Sequence, residues 1–514
     1  MTGKVRNTEE KTWQGRKTFS AGFLYFIGNM STKAVAFFTV PVFTRLLTAS
    51  EYGIVNTYTS WVHIASVVVT LSLYNSFRVA YAEKADGFDS YCASVIRLGG
   101  ILSALWCLAG TAAALAVPVV RRIWWMVPCC IIQAFGMFCV TALSTSCMLK
   151  FRYQKRAVYM TVPNLSCALL AVLLLVMHDG DRLFWRIAAY TSVYAAFAAA
   201  ALWTTRKEKT DTGYWRYAVS YSMPLVFHGL SLVVLSSSDR IMITHMAGAE
   251  ESGIYSLAYN IGLAATAAVS SLEGLWVPWF IGKLKRKEID GINRGTAQLV
   301  EAVSVIIICV MLTAPEVLQF MAPQEYWRGK PVIYPVVAAS YIMFLYDLAV
   351  SVEYQTKNTR MIALNTFLAA VINVVLNLLL IPHFGAVAAA FTTVAAYAFS
   401  LAFHYYCARK SCPGIFPAGM YAKYAVFVAA TGTAGALACS TGFATARWGI
   451  ALTVASVYVI LRLRTAGGKK KGDTVYALQK TGGPRAGCLD DAAGGNPGDG
   501  VRNGCDRIDG SRSG

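Results

Sequence analysis

Charge is scarce in this sequence. Of 514 residues, 14% are Asp, Glu, Lys or Arg, against about 25% in an ordinary soluble domain. Apolar residues make up 56%, and the mean hydropathy is +0.49. A single soluble enzyme domain and a disordered chain are both excluded by that balance. The thirteen cysteines include no C-x-x-C and no Cys/His spacing suited to zinc. Most of them lie inside apolar runs, where a thiol is a small hydrophobe. Neither G-x-x-x-x-G-K-[ST] nor G-x-S-x-G occurs, so there is no phosphate loop and no serine elbow. No catalytic residue, metal site or cofactor is expected. What charge there is sums to +19. Nucleic acid is the usual partner for such a surplus, but the basic residues are too scattered to build a basic soluble surface.

Apolar runs of about 20 residues, the length that spans a bilayer as a helix, recur fourteen times. They cover 19–40, 53–80, 92–117, 123–149, 157–177, 187–203, 217–246, 253–281, 296–318, 332–356, 361–381, 386–407, 424–444 and 448–463. The first is too long for a signal-peptide core, lacks an A-x-A site and runs into further apolar segments, so it reads as a first membrane helix. An all-α polytopic membrane protein with about fourteen transmembrane helices is expected. Residues 1–18 form a polar arm. Residues 465–514, with 13 glycines in 50 positions, are expected to be a disordered tail.

Lys and Arg alternate across these segments. One set of loops, beginning with the arm, holds 24, from Lys4 to Lys423. The opposite set holds eight: Arg45, Arg121, Arg122, Arg182, Arg186, Arg328, Lys330 and Arg447. The positive-inside rule places the rich set, and both termini, in the cytoplasm. Losing one helix from the count would scramble the alternation downstream.

The chain also repeats itself. Thr44-Arg-Leu-Leu-Thr-Ala-Ser-Glu-Tyr-Gly-Ile54 and Thr244-His-Met-Ala-Gly-Ala-Glu-Glu-Ser-Gly-Ile254 share five of eleven positions at an offset of 200. Weaker echoes pair Tyr153-Gln154 with Tyr354-Gln355 and His178-Asp-Gly180 with His383-Phe-Gly385. Six helices separate the copies, and an even number preserves orientation. Two six-helix lobes, 19–216 and 217–410, are therefore expected in parallel repeat, with two additional helices at 424–463. Parallel repeats of this kind carry a substrate between them by rocking.

Three stretches resemble the polysaccharide flippase family. They are Glu51-Tyr52-Gly53-Ile54, then Asp239-Arg240-Ile241-Met242-Ile243 followed by Gly253-Ile254-Tyr255-Ser256-Leu257-Ala258-Tyr259, then Ile381-Pro382-His383-Phe384-Gly385 with the alanine-rich run after it. Together they are similar to Wzx-type O-antigen and capsule-unit flippases, in the superfamily that includes lipid II flippases and multidrug extruders. The resemblance covers residues 12–464. It implies translocation of an undecaprenyl-diphosphate-linked oligosaccharide from the inner to the outer leaflet of a bacterial cytoplasmic membrane. The implied partners are that lipid-linked substrate, membrane lipid, and a polymerase and glycosyltransferases of the same pathway. A multidrug extruder would show twelve helices and an acidic cavity. A membrane enzyme would show a sizeable soluble domain or loop, and none is seen.

Ionisable residues inside membrane segments are costly and mark function. Lys33, Arg78, Arg97 and Arg240 are candidates for holding a diphosphate, with Lys33 foremost because it sits in mid-segment. Arg97 also reads as an interface residue. Asp239, Glu273, Asp347 and Glu353, with Glu301, are candidates for ion coupling or for pairing with those bases. Asp347 and Glu353, six apart, should point to different helix faces. Asp239 and Arg240, adjacent, need separate partners.

Overall fold

The structure is a computed structural model that describes residue 35 and residues 37–83, 87–178, 180–440 and 444–481. Sixteen α-helices and two short 3-10 turns occupy the described residues, and no strand is found among them. In chain order the helices are α1 (Phe37–Leu46), α2 (Ala49–Val68), α3 (Phe77–Glu83), α4 (Phe88–Ala116), α5 (Pro118–Arg121), α6 (Met126–Leu149), α7 (Tyr153–Met177) and α8 (Arg182–Thr204). They continue as α9 (Thr212–Met246), α10 (Ala249–Lys285), α11 (Ile289–Met321), α12 (Lys330–Gln355), α13 (Thr359–Phe384), α14 (Ala386–Ser411), α15 (Ala418–Ser440) and α16 (Ala444–Thr481). Each of the fourteen apolar runs contains a helix; for 19–40 only its end, α1, is described. Among the described residues, ten helical spans are long and apolar enough to cross a membrane, eleven when the bent pair α2 and α3 is taken as one. The chain is an all-α polytopic membrane protein.

Three boundaries differ from the sequence expectation. Segment 53–80 is broken: Leu71 and Ser72 take left-handed φ of 50° and 46°, and α3 departs from α2 at 47°. The break falls where hydroxyl groups crowd the helix. Thr70 Oγ1 donates to the Ser66 carbonyl at 2.5 Å, and Ser76 Oγ to the Leu73 carbonyl at 2.7 Å. Such side chains compete with the backbone for its hydrogen bonds. Helix α8 begins five residues before its apolar run, because Asp181 caps it by accepting from Phe184 N at 3.1 Å. Arg186 is therefore a helix residue and not a loop residue. Helix α16 runs on to Thr481 through Lys469, Lys470 and Lys471, across part of the expected tail. Only three of the tail's thirteen glycines precede Thr481, and 477–480 (Ala-Leu-Gln-Lys) holds good helix formers. By packing, residues up to Ser456 form one unit and Val457–Gly514 a second, the division falling within α16.

Helix pairing recurs at the spacing of the repeat. Helix α2 packs on α6, α4 on α6, α6 on α8, and α7 on α8. Six apolar segments later in the chain, α10 packs on α12, α11 on α12, α12 on α14, and α13 on α14. One echo does not survive: Tyr153-Gln154 opens α7, whereas Tyr354-Gln355 closes α12. Helix α15 lies on α11 and α12, with Tyr334 Oη donating to the Gly435 carbonyl at 3.0 Å.

The two sets of loops meet their own kind. At the basic-poor end, Thr44 Oγ1 donates to the Met321 carbonyl at 2.8 Å and Arg182 to the Leu46 carbonyl at 2.8 Å. Arg328 pairs there with Glu250 and Glu251. At the basic-rich end, Ser90 donates to Glu208 at 2.8 Å, Lys150 pairs with Asp89, and Asn293 Nδ2 donates to the Gly414 carbonyl at 2.9 Å. Lys283 binds Glu288 at that end and holds its carboxyl below the usual carboxylate range.

Candidate functional site

The repeated motif makes the closest helix contact around the candidate site. Gly53 on α2 faces Gly253 on α10, and each opposes the alanine four residues before the other. A Cβ placed on Gly53 would stand 1.8 Å from the Ala249 carbonyl oxygen; one on Gly253 would stand 1.9 Å from that of Ala49. The Ala-x-x-x-Gly spacing puts both small residues on one helix face, and small faces let membrane helices touch backbone to backbone. The repeat thus packs against itself. The identical glutamates serve it differently. Glu51 completes a capping box with Thr48, through bonds of 2.9 and 3.2 Å. Its counterpart Glu251 follows Gly248, which has no such side chain, and pairs with Arg328 at 3.3 Å.

Beside this crossing, polar side chains of α2, α9 and α10 converge. Thr57 and Thr244 share a hydroxyl–hydroxyl bond of 2.5 Å. The Arg240 carbonyl accepts from Thr57 at 3.3 Å and from Ser252 at 3.2 Å. The half-buried Arg240 guanidinium lies 4.7 Å from the Tyr259 ring centre. Its field reaches Tyr52, His63 and Asp239. Asn260 donates to Tyr52 Oη at 3.5 Å.

Asp239 points elsewhere, as adjacent helix positions must. It is 2% exposed. Its Oδ2 accepts from Tyr255 Oη at 2.6 Å and from Thr393 Oγ1 at 3.5 Å, while Oδ1 has no hydrogen-bond partner among the described residues. The network continues inward. Asn373 donates to Thr393 at 3.4 Å, Asn377 donates to Asn373 at 3.2 Å, and Thr392 donates to Asn377. This buried, oxygen-rich set draws on α9, α10, α13 and α14. The sequence reading missed its uncharged members, though Asn373 and Asn377, four apart on an apolar helix, were the available signal.

The other acids separate as expected. Asp347 on α12 sits in the field of Glu273 on α10. Glu353, on the other side of α12, is fully buried and 2.7 Å from His404 Nδ1 on α14. Glu301 accepts from Tyr424 Oη at 3.2 Å. Among the described residues, no ion pair joins any of these acids to Arg78, Arg97 or Arg240.

Two expected substrate contacts have other surroundings. Arg97 clamps the α8–α9 connection at the basic-rich end, donating to the Thr205 and Glu208 carbonyls at 2.8 and 3.0 Å and to Thr210 Oγ1. It holds backbone, which removes it from the candidate site. Arg97→Ala should therefore lower thermal stability by about 1–3 kcal/mol while leaving surface polysaccharide near wild type. Parallel melting and export assays check this. Arg78 is exposed on α3, just past the break, in reach of Tyr74. Lys33 lies outside the described residues. Among the described residues no three His, Cys, Asp or Glu side chains form a group able to hold a metal.

Comparisons place this arrangement among known proteins. Residues 20–282, just over half the chain, match the family described as polysaccharide biosynthesis protein. "Lsg locus putative protein 1" of Haemophilus influenzae is 21% identical over 287 residues, covering 53% of this chain and 68% of that protein. The lipid II flippase MurJ, in an inward closed conformation, shares the fold with a TM-score of 0.63 at 11% identity, over 86% of this chain and 99% of its own. A MATE multidrug transporter, DinF-BH in complex with R6G, follows at 0.52 and 12% identity, over 77% and 95%. The chain belongs to the polysaccharide biosynthesis protein family and has the helical fold of these membrane transporters.

Proposed function

We propose that this protein flips an undecaprenyl-diphosphate-linked oligosaccharide from the inner to the outer leaflet of a bacterial cytoplasmic membrane, for assembly of a surface polysaccharide. It acts by alternating access between lobes 19–216 and 217–410, with both termini cytoplasmic, and it is not an enzyme. The observation that carries the reading is the reciprocal Gly53/Gly253 crossing. Two copies of one motif meet about a pseudo-twofold relation at the basic-poor end, which the positive-inside rule turns outward. That contact closes the outer side and leaves the inner side to admit cargo.

Arg240, Arg78 and Lys33 supply positive charge for the diphosphate, by fork or point charge. Asp239, with its free oxygen among hydroxyl and amide oxygens, is the coupling-ion candidate; Asp347 with Glu273, and Glu353 with His404, are further proton-bearing candidates. A cytoplasm-negative potential adds about 2.3 kcal/mol per 100 mV for each uncompensated negative charge moved outward. Removing this protein from its host should deplete surface polysaccharide and accumulate the lipid-linked unit on the inner leaflet. Accumulation of the unit on the outer leaflet would instead place the missing step after flipping.

A further inference from the structure

Three of the five identities in the repeated motif fall on contacts between the two halves of the chain. Ala49 and Gly53 meet Gly253 and Ala249. The third is the threonine that opens the motif. Thr44 on α1 donates to the Met321 carbonyl on α11 at 2.8 Å, and Thr244 on α9 shares its hydroxyl bond with Thr57 on α2. Arg45, beside Thr44, adds a second crossing bond: its Nη2 donates to the Phe320 carbonyl at 3.1 Å, while its Nη1 donates to the Pro41 carbonyl of its own helix at 2.8 Å. Both crossing acceptors lie at a helix end. Helix α11 stops at Met321, where Ala322 turns extended ahead of Pro323, and the last carbonyls of a helix have no partner inside it. The Leu318 carbonyl takes the Ala322 N–H at 3.0 Å. Those of Phe320 and Met321 take side chains from the other half. A helix C-terminus also carries partial negative charge, which Arg45 complements. Thr44 and Met321 are buried, whereas Arg45 and the Phe320 side chain are exposed.

We infer that Thr44 and Arg45 form a latch on the end of α11 that sets how readily the basic-poor end opens during transport. The inference rests on the proposed alternating access and names the residues that regulate it. The Gly53/Gly253 crossing permits close approach but contributes no directional side-chain bond. The latch contributes two, both to backbone carbonyls. Its strength suits a contact that must part in every cycle. On separation, the freed carbonyls, hydroxyl and guanidinium bond to water instead, so opening costs only the difference between protein and water partners. A fully buried ion pair in that place would leave charge unpaired as the halves part, a far larger cost. The Nη1 bond to Pro41 stays within α1. It keeps the guanidinium aimed across the interface, so that closure re-forms the latch without reordering the side chain.

The test is a distance measurement on the full chain in nanodiscs. Spin labels are carried by non-canonical amino acids at Arg122 and Glu325, both exposed at the basic-poor end, one in each half. The wild type should give mainly a short distance, with a minor longer one. Arg45→Ala should raise the ratio of long to short about fivefold, the effect of losing one charge-assisted bond at an exposed position. Thr44→Val should raise it too. Arg45→Gln, which removes the charge but keeps the bulk, serves if Arg45→Ala does not reach the membrane, and should move the ratio the same way. Arg328→Ala is the control: it removes the same charge at the same end, but its partners Glu250 and Glu251 lie in its own half, so the ratio should stay at the wild-type value. Unchanged ratios in the Arg45 variant and Thr44→Val would overturn the inference and leave the flippase reading intact. An equal rise in Arg328→Ala, or a wild type dominated by the longer distance, would do the same. A protein that shows the expected shifts yet moves no lipid-linked oligosaccharide in liposomes would overturn the flippase reading and leave the latch standing.

Discussion

Gly53→Val is expected to reduce surface polysaccharide at least tenfold, to background in a deletion strain, with the protein still present in the membrane. A single Cβ at this position would lie 1.8 Å from the Ala249 carbonyl oxygen. Backbone cannot swing aside as a side-chain tip does, so α2 and α10 would have to separate by more than an ångström. The lobes then cannot close at the basic-poor end, and the inward-open half of the cycle is lost. Gly253→Val should do the same from the other copy, and the pair together little more, because one contact is broken either way. Gly274→Ala is the control: it is a helix position whose added Cβ meets nothing within 4 Å. Full export by Gly53→Val would show that the crossing is ordinary packing.

The second large effect is expected at Asp239. Asp239→Asn keeps the size of the side chain and removes its charge from the Tyr255–Thr393–Asn373 network. Transport should fall about tenfold and become indifferent to imposed sodium or proton gradients that accelerate the wild type. Asp239→Ala should go further. It leaves the buried Tyr255 hydroxyl without its 2.6 Å acceptor, a loss of about 1–3 kcal/mol in stability on top of the lost coupling. Vesicle assays with each gradient set separately check this. An Asp239→Asn protein that still responds to the same gradient as wild type would move the coupling site to Asp347 and Glu273 or to Glu353 and His404.

Much of the fold was legible because a bilayer imposes one length and one solvent on every crossing. Apolar runs of that length located the helices, and Lys/Arg alternation ordered their ends. What escaped were features set by local hydrogen bonds. The break at Leu71-Ser72 comes from hydroxyl crowding that hydropathy does not register. The early start of α8 comes from the Asp181 cap, and missing it made Arg186 look like a loop residue. The site was legible only in part. Charged positions stand out in an apolar chain, so Asp239, Arg240 and Glu353 were found. Their surroundings were not, because Asn373, Asn377, Thr393 and Tyr255 carry no charge and come from four helices. The repeat at Ala49–Gly53 was visible as identity. That the two copies touch each other is a three-dimensional fact that sequence identity does not contain.

The most direct test of the account is reconstitution. Purified protein in liposomes, given a fluorescent undecaprenyl-diphosphate oligosaccharide on one leaflet, should move it to the other, faster when the receiving side is positive. Gly53→Val under the same conditions should leave the lipid where it started. Equal leaflet exchange in protein-free, wild-type and Gly53→Val liposomes would contradict the assignment of this chain as the flippase.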